Sequence, residues 1–284
     1  MKWQKMVLGA LLTLSLQAGA AQKPVDVTIG VAGSEDAYWK VLVQKAKAEN
    51  INIKLISFSD YALPNKALAS GDVDLNAFQH LAFLSQFNVN NQLTIVPIGA
   101  TQIVPMALYS EKYRALADIP QGAQIALPND PSNQGRALNV LQSSGLLTLK
   151  DGAGLHATPD DIIENPRKLK ILPVVAQQTP RVLADVAASV VNQGVAVDAG
   201  LPADKILFQD DPTAPSALPY VNVFAAREKD KDNPVYQRIV ALYHQPDVIA
   251  AVKEDTKGVA VVVDLPAKDL QDTLKQLEVD LRKQ

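Results

Sequence analysis

The sequence contains no cysteine. The fold therefore has no disulfide, even in an oxidising compartment where disulfides form, and no thiolate is on offer to a soft metal. Histidine is almost as scarce. His80, His156 and His244 are the only three, far apart in the chain, so neither a zinc or copper site nor any other metal or cofactor is expected. Positive charge is not in excess. Without Lys2 and Lys5 there are 25 basic against 30 acidic residues, a net charge near −5. Nucleic acid, which is bound by a basic surface, is not an expected partner. There is no repeat of fixed period and no low-complexity tract. An uncharged apolar run, Met6 to Leu16, falls short of the roughly 18 residues that span a bilayer, and no other segment is expected to span one.

That run has a context. Lys2 and Lys5 precede it and Ala18-Gly19-Ala20 follows it, the three parts of a secretory signal peptide at residues 1–20. The expectation is a periplasmic protein, starting near Ala21 and soluble after cleavage. With no cysteine after the apolar run, no lipid anchor is expected.

In the remainder, short β-rich runs alternate with helical stretches. Val27–Val31, Ile51–Phe58 and Val73–Asn76 read as strands. Ser34 reads as the cap of a helix reaching about Asn50, with Glu35 and Asp36 in its first turn, and Gly71 as the stop of a helix over 64–70. After Pro105 the alternation restarts: strands at Gln124–Leu127, Leu169–Val174 and Ala188–Asn192, a helix over 131–144, and another opened by Thr179-Pro180. The segment 209–219, rich in Pro and Asp, reads as loop. Asn233-Pro234 opens a helix, Val259–Val263 is a strand, and a last helix carries Leu270, Leu274, Leu277 and Leu281 on one stripe. Such alternation predicts βαβ units and parallel sheets covered on both faces. The chain leaves a first α/β lobe, builds a second and returns, so Ile103–Ser110 and Tyr220–Ala226 are crossover strands. The lobes are 21–104 with 220–284, and 105–219.

Ligands on such sheets bind beyond the carboxyl ends of the strands. Those positions hold Tyr61, Phe78, His80, Asn133, Arg136, Asn192 and Asn222. Singly they have plain explanations: Tyr61 and Phe78 as core, His80 at a helix start, Asn129, Asp130 and Asn133 as turn and cap residues, Arg136 as a solvated charge. Together they combine an arginine fork beside a helix N-terminus, suited to carboxylate, amide oxygens suited to ammonium, and aromatic walls suited to an apolar or thioether group. An amino acid presents all three features.

Long strings in fixed order carry a resemblance: Phe58-Ser59-Asp60-Tyr61-Ala62-Leu63-Pro64-Asn65, Gly71 to His80, Pro128 to Arg136, Glu164-Asn165-Pro166, and Pro219-Tyr220-Val221-Asn222. The chain resembles the methionine-binding proteins of bacterial ABC importers, the MetQ/NlpA family, over nearly its whole mature length. The resemblance implies an α/β, two-lobed periplasmic-binding-protein fold with two crossover strands, of type II character. It implies that Arg136 grips a carboxylate, that Asn192 and Asn222 hold an ammonium, and that Tyr61, Phe78 and His80 wall the side-chain pocket. The implied ligand is methionine, L or D, or a close derivative, and the implied partners are the membrane subunits of an importer; a monomer is expected. The chain departs from the family in lacking the lipid-bearing cysteine of many members, in Val104 where Tyr often precedes the crossover proline, and around Tyr38 and Trp39. The alternative is a protein of the same fold for another amino acid, a small peptide or a metal complex. A hydrolase is disfavoured: no nucleophile elbow is present, and His80 with Asp60 forms at most a base pair without a nucleophile.

Overall fold

The computed structural model describes residues 23–33 and 36–283. The expected signal peptide and the expected Ser34 cap lie outside the described residues. The chain runs through β1 (Val25–Val31), α1 (Ala37–Ala48), β2 (Ile51–Ser57), α2 (Leu63–Ser70), β3 (Leu75–His80), α3 (Leu81–Asn91) and β4 (Ile95–Ala100). It continues with β5 (Gln102–Ile103), β6 (Met106–Tyr109), β7 (Gln124–Pro128), α4 (Pro131–Ser143), β8 (Thr148–Leu149), β9 (Ile162–Glu164) and β10 (Lys170–Val174). Then follow β11 (Ala188–Asn192), α5 (Gln193–Asp198), β12 (Ile206–Gln209), β13 (Asn222–Arg227), α6 (Pro234–Tyr243), α7 (Pro246–Asp255), β14 (Val261–Val262) and α8 (Ala267–Leu281).

Two five-stranded sheets result, in the orders β2-β1-β3-β13-β4 and β10-β7-β11-β6-β12. Both are mixed, which corrects the expectation of parallel sheets. β1 is parallel to β2 and β3, but β13 is antiparallel to β3 and β4. The direction follows from connectivity. The chain leaves the first sheet at the carboxyl end of β4 and re-enters at that same end, so β13 must run the other way. In the second sheet β6, the entering strand, is likewise antiparallel to β11 and β12. The first crossover is broken rather than continuous. Val104-Pro105 separates β5, which pairs with β14, from β6, because proline has no N–H to extend a ladder.

Each sheet buries its own core. One face of the first sheet packs Ile29, Phe224 and Ile98 against Trp39 and Leu42 of α1, Ile239 and Tyr243 of α6, and Val248 of α7. Its other face packs Leu75 and Val223 against α2, α3 and α8; on α8 Leu270, Leu274 and Leu277 are buried. The second sheet packs Leu108, Ile125, Leu127 and Val190 against Leu138 and Leu141 of α4.

Other expectations need correction. β3 begins at Leu75, because the backbone and side chain of Asp74 are both spent on Thr28, and it runs on through His80. Phe78 and His80 are thus strand residues, and His80 is at the same time the cap of α3, in keeping with its reading as a helix-start residue. Helix α1 opens after Asp36, which places no acidic residue in its first turn. Thr179 opens no helix: it is buried, it ends the turn Ala176–Gln178, and its hydroxyl donates to Ala176 O. Tyr220 closes the 3-10 segment Pro215–Tyr220, and β13 starts two residues later.

One glycine sets how α4 sits. A Cβ on Gly135 would lie 2.2 Å from the backbone oxygen of Leu155, and a backbone atom cannot rotate away. Alanine at an ordinary helix position gains roughly 1 kcal/mol over glycine; here overpacking should cost about 1–3 kcal/mol. Gly135→Ala should therefore lower the unfolding free energy in urea titration; a more stable variant would show that α4 has room to shift.

Candidate functional site

Between the two sheets, at the carboxyl ends of β1–β3 and of β7 and β11, lies a cavity of about 660 Å³. All seven candidate residues line it: Tyr61, Phe78 and His80 from the first-sheet side, Asn133, Arg136 and Asn192 from the second, and Asn222 at the start of β13.

The aromatic wall is held by a buried amide network behind it. Asn65 Nδ2 donates to Gln79 Oε1 at 2.7 Å, while Asn65 Oδ1 accepts from Asn76 Nδ2 (2.8 Å) and Gln79 Nε2 (2.7 Å). This ties the start of α2 to β3, so that Tyr61 and Phe78 meet with ring centroids 6.1 Å apart. Phe83 stands edge-on to both rings and to His80. Sequence reasoning missed Phe83. It sits on α3, which is buried almost all round and lacks the polar face that marks a helix in sequence.

The polar side has a defined direction. Phe83 N donates to His80 Nδ1 at 3.1 Å, so the ring carries its proton on Nε2, which points to Asn133 Oδ1 at 3.3 Å. The same oxygen accepts from Asn192 Nδ2 at 2.7 Å. Asn133 Nδ2 donates to Asp130 Oδ1 at 2.9 Å, and that carboxylate also caps α4 through Asn133 N. The cap reading of Asp130 stands; Asn133 is more than a turn residue, since its amide joins a side chain of the first sheet to one of the second. The remaining acceptor, Asn192 Oδ1, is buried with no partner among the described residues. Asn222 Nδ2 donates to Gln102 O at 3.2 Å.

Titration at the site follows burial. His80 falls from 6.5 to about 3, through loss of hydration and then the nearby Arg136 charge. Burial, with the Asp130 and Asp198 charges, raises the Tyr61 phenol. Burial also raises Asp130, against the lowering effect of its Asn133 and Ser132 bonds.

Arg136 is buried, and its engagement differs from the expected open fork. Nε donates to Asp210 Oδ2 at 2.7 Å, and Nη2 to Asp210 Oδ1 at 3.2 Å and to Val104 O at 2.8 Å. Its guanidinium carbon lies 4.3 Å from the centroid of the Tyr220 ring. The bidentate carboxylate is thus Asp210, a residue of the segment read as loop, and Arg136→Ala would remove a structural tie. Nothing in a run of Asp and Pro signals which carboxylate turns inward.

Among the described residues no cluster of His, Asp or Glu could hold a metal. His80 does not pair with Asp60, whose Oδ1 accepts the backbone N–H groups of Ala62 and Leu63.

The buried neutral His80 predicts a pH dependence. Its folded pKa is below the unfolded value, so its contribution is complete above about 6.5 and is lost as pH falls toward about 3. The unfolding free energy should decline on acidification with a His80 share of up to about 1.4 kcal/mol per pH unit. His80→Gln should flatten that slope in urea titrations; an unchanged slope would mean that His80 protonates freely in the folded state.

Residues 27–263 match the family described as NlpA lipoprotein. The chain is 40% identical over 255 residues to the D-methionine-binding lipoprotein MetQ of Yersinia pestis, covering 88% of this chain and 93% of that protein. Its fold is similar to that of a nutrient binding protein from Burkholderia cenocepacia bound to methionine (TM-score 0.78, 43% identity, 84% of this chain and 99% of that one). It is also similar to that of protein PG110 from Staphylococcus aureus (TM-score 0.84, 41% identity, 90% and 99%). These likenesses agree with the two-lobed binding-protein architecture. They overturn the expectation of a protein without a lipid anchor: the matched family and the Yersinia relative are lipoproteins, which acyl chains hold to a membrane. That expectation rested on the absence of a cysteine after the apolar run.

Proposed function

The chain belongs to the NlpA lipoprotein family, and from that premise we propose that it captures methionine, L or D, or a close derivative, and delivers it to the membrane subunits of an ABC importer. The carrying observation is a buried arginine and a buried amide oxygen without a partner among the described residues, on one cavity: Arg136 for the ligand carboxylate and Asn192 Oδ1 for its ammonium. A hydrogen bond between a charged group and a neutral one contributes about 1.5–3 kcal/mol. Asn222, its amide nitrogen turned to Gln102 O, has its oxygen left for the same ammonium. Tyr61, Phe78 and His80 wall the side chain, with Phe83 behind them, and Asn133 fixes the direction of Asn192.

The lobes in this reading are 21–104 with 220–284, and 105–219. They close on the ligand because only the closed state presents Arg136, Asn192 and Asn222 together. The protein acts as a single copy, in the periplasm, with no nucleic-acid partner. It is a binding protein and not an enzyme. Both ring nitrogens of His80 are engaged, so His80 is not a free base.

Calorimetric titration with L- and D-methionine tests the reading, alongside mass spectrometry of the compound released on denaturing the purified protein. Asn192→Ala should weaken methionine binding by about tenfold or more and move the melting temperature of the empty protein little. If another compound co-purifies and methionine gives no heat, the ligand assignment falls.

A further inference from the structure

We propose that Asp210 is the positioning residue of the ligand-binding arginine: it presents Arg136 to the ligand through one nitrogen only and thereby sets the preference for a carboxylate. This rests on the function proposed above.

The position of Asp210 does not depend on Arg136. Asp210 follows β12, and its N–H donates to Met106 O at 3.1 Å while its Oδ1 accepts from Met106 N at 2.8 Å. Met106 in turn pairs with Asn192 across β6 and β11. One rung of the second sheet therefore carries both Asn192 and Asp210. Guanidinium has five N–H groups. Nε and Nη2 account for three of them, toward Asp210 and Val104 O, which leaves the two on Nη1. The Tyr220 ring beneath the guanidinium fixes its plane. The group is thus held at one edge and one face, with Nη1 as the donor pair left for a ligand. Arg136 and Asn192 line the same cavity, so a carboxylate on Nη1 shares that cavity with Asn192 Oδ1.

The test is Asp210→Asn. Asparagine can still accept Met106 N–H, but its amide nitrogen cannot accept Arg136 Nε–H. Affinity for methionine should fall by about tenfold or more, whereas affinity for methioninamide, which lacks the anionic group, should change by less than about threefold. Equal losses for both ligands would mark Asp210 as merely structural, and unchanged methionine affinity would also overturn the proposal. Wild-type protein that binds methionine no better than the amide would instead sink the carboxylate reading of the site. Asp210 then has a ligand-free readout, the Arg136 Nε–H resonance, identified by its loss in Arg136→Lys. It should exchange slowly in the empty wild type and fast in Asp210→Asn; slow exchange retained in the variant would overturn the positioning role.

Discussion

A guanidinium taken out of water must be paired and hydrogen-bonded, because a buried charge without partners costs several kcal/mol. Arg136 meets that constraint with Asp210, Val104 O and the face of Tyr220, and much of the cleft follows from those partners. Val104 belongs to the break in the first crossover, Tyr220 to the approach of the second, and Asp210 to the edge of the second sheet. The side chain that marks the cavity thereby ties three passages of chain that are distant in sequence. Gly135, one residue before it, lets α4 lie against the Leu155 backbone and so fixes where the arginine starts.

A second constraint is direction. An asparagine amide offers either a donor or an acceptor, and which one faces a cavity depends on what holds the other end. From Phe83 N through His80 to Asn133 each bond leaves the next group one option, and the sequence ends with Asn192 donating inward to the protein. A charged His80 would keep its Nε2 donor but lose the Nδ1 acceptor that receives Phe83 N. Burial excludes that state by taking the ring to about 3.

Much of this was legible in the sequence where a residue has one dominant use. Asp130-Pro131 and Asn233-Pro234 cap helices, Gly71 in the left-handed region ends α2, and of the leucine stripe of α8 Leu270, Leu274 and Leu277 are buried while Leu281 is only half-buried. The seven candidate residues could be picked because strand ends face the cleft of such folds, and all seven line one cavity. What was illegible depended on competition settled at long range. Thr179-Pro180 has the form of a helix start, but the threonine hydroxyl goes backward to Ala176 O. Asp74 looks like part of a strand, yet its side chain is drawn to Thr28. In the Asp-rich segment before the second crossover, Asp211 turns to Thr213 while its neighbour Asp210 turns to the arginine; adjacent identical residues differ only in which way the last strand residue sends them.

The presence of Asp210 also bears on why the proposed ammonium subsite is built from amides. Arg136 and Asp210 together are close to neutral, and so is a zwitterionic amino acid, so ligand entry leaves no net charge in the cavity. A carboxylate in place of Asn192 would add a buried negative charge to be kept ionised in the empty state, and Asp130, raised by burial despite its hydrogen bonds, shows how such a carboxyl fares here. Amide oxygens supply the acceptors without that cost, and the affinity of such a site does not depend on a carboxylate of the ammonium subsite remaining ionised. On the proposed reading, selectivity rests on geometry: donor Nη1 at one end, acceptor Oδ1 at the other, tied through the rung at Met106.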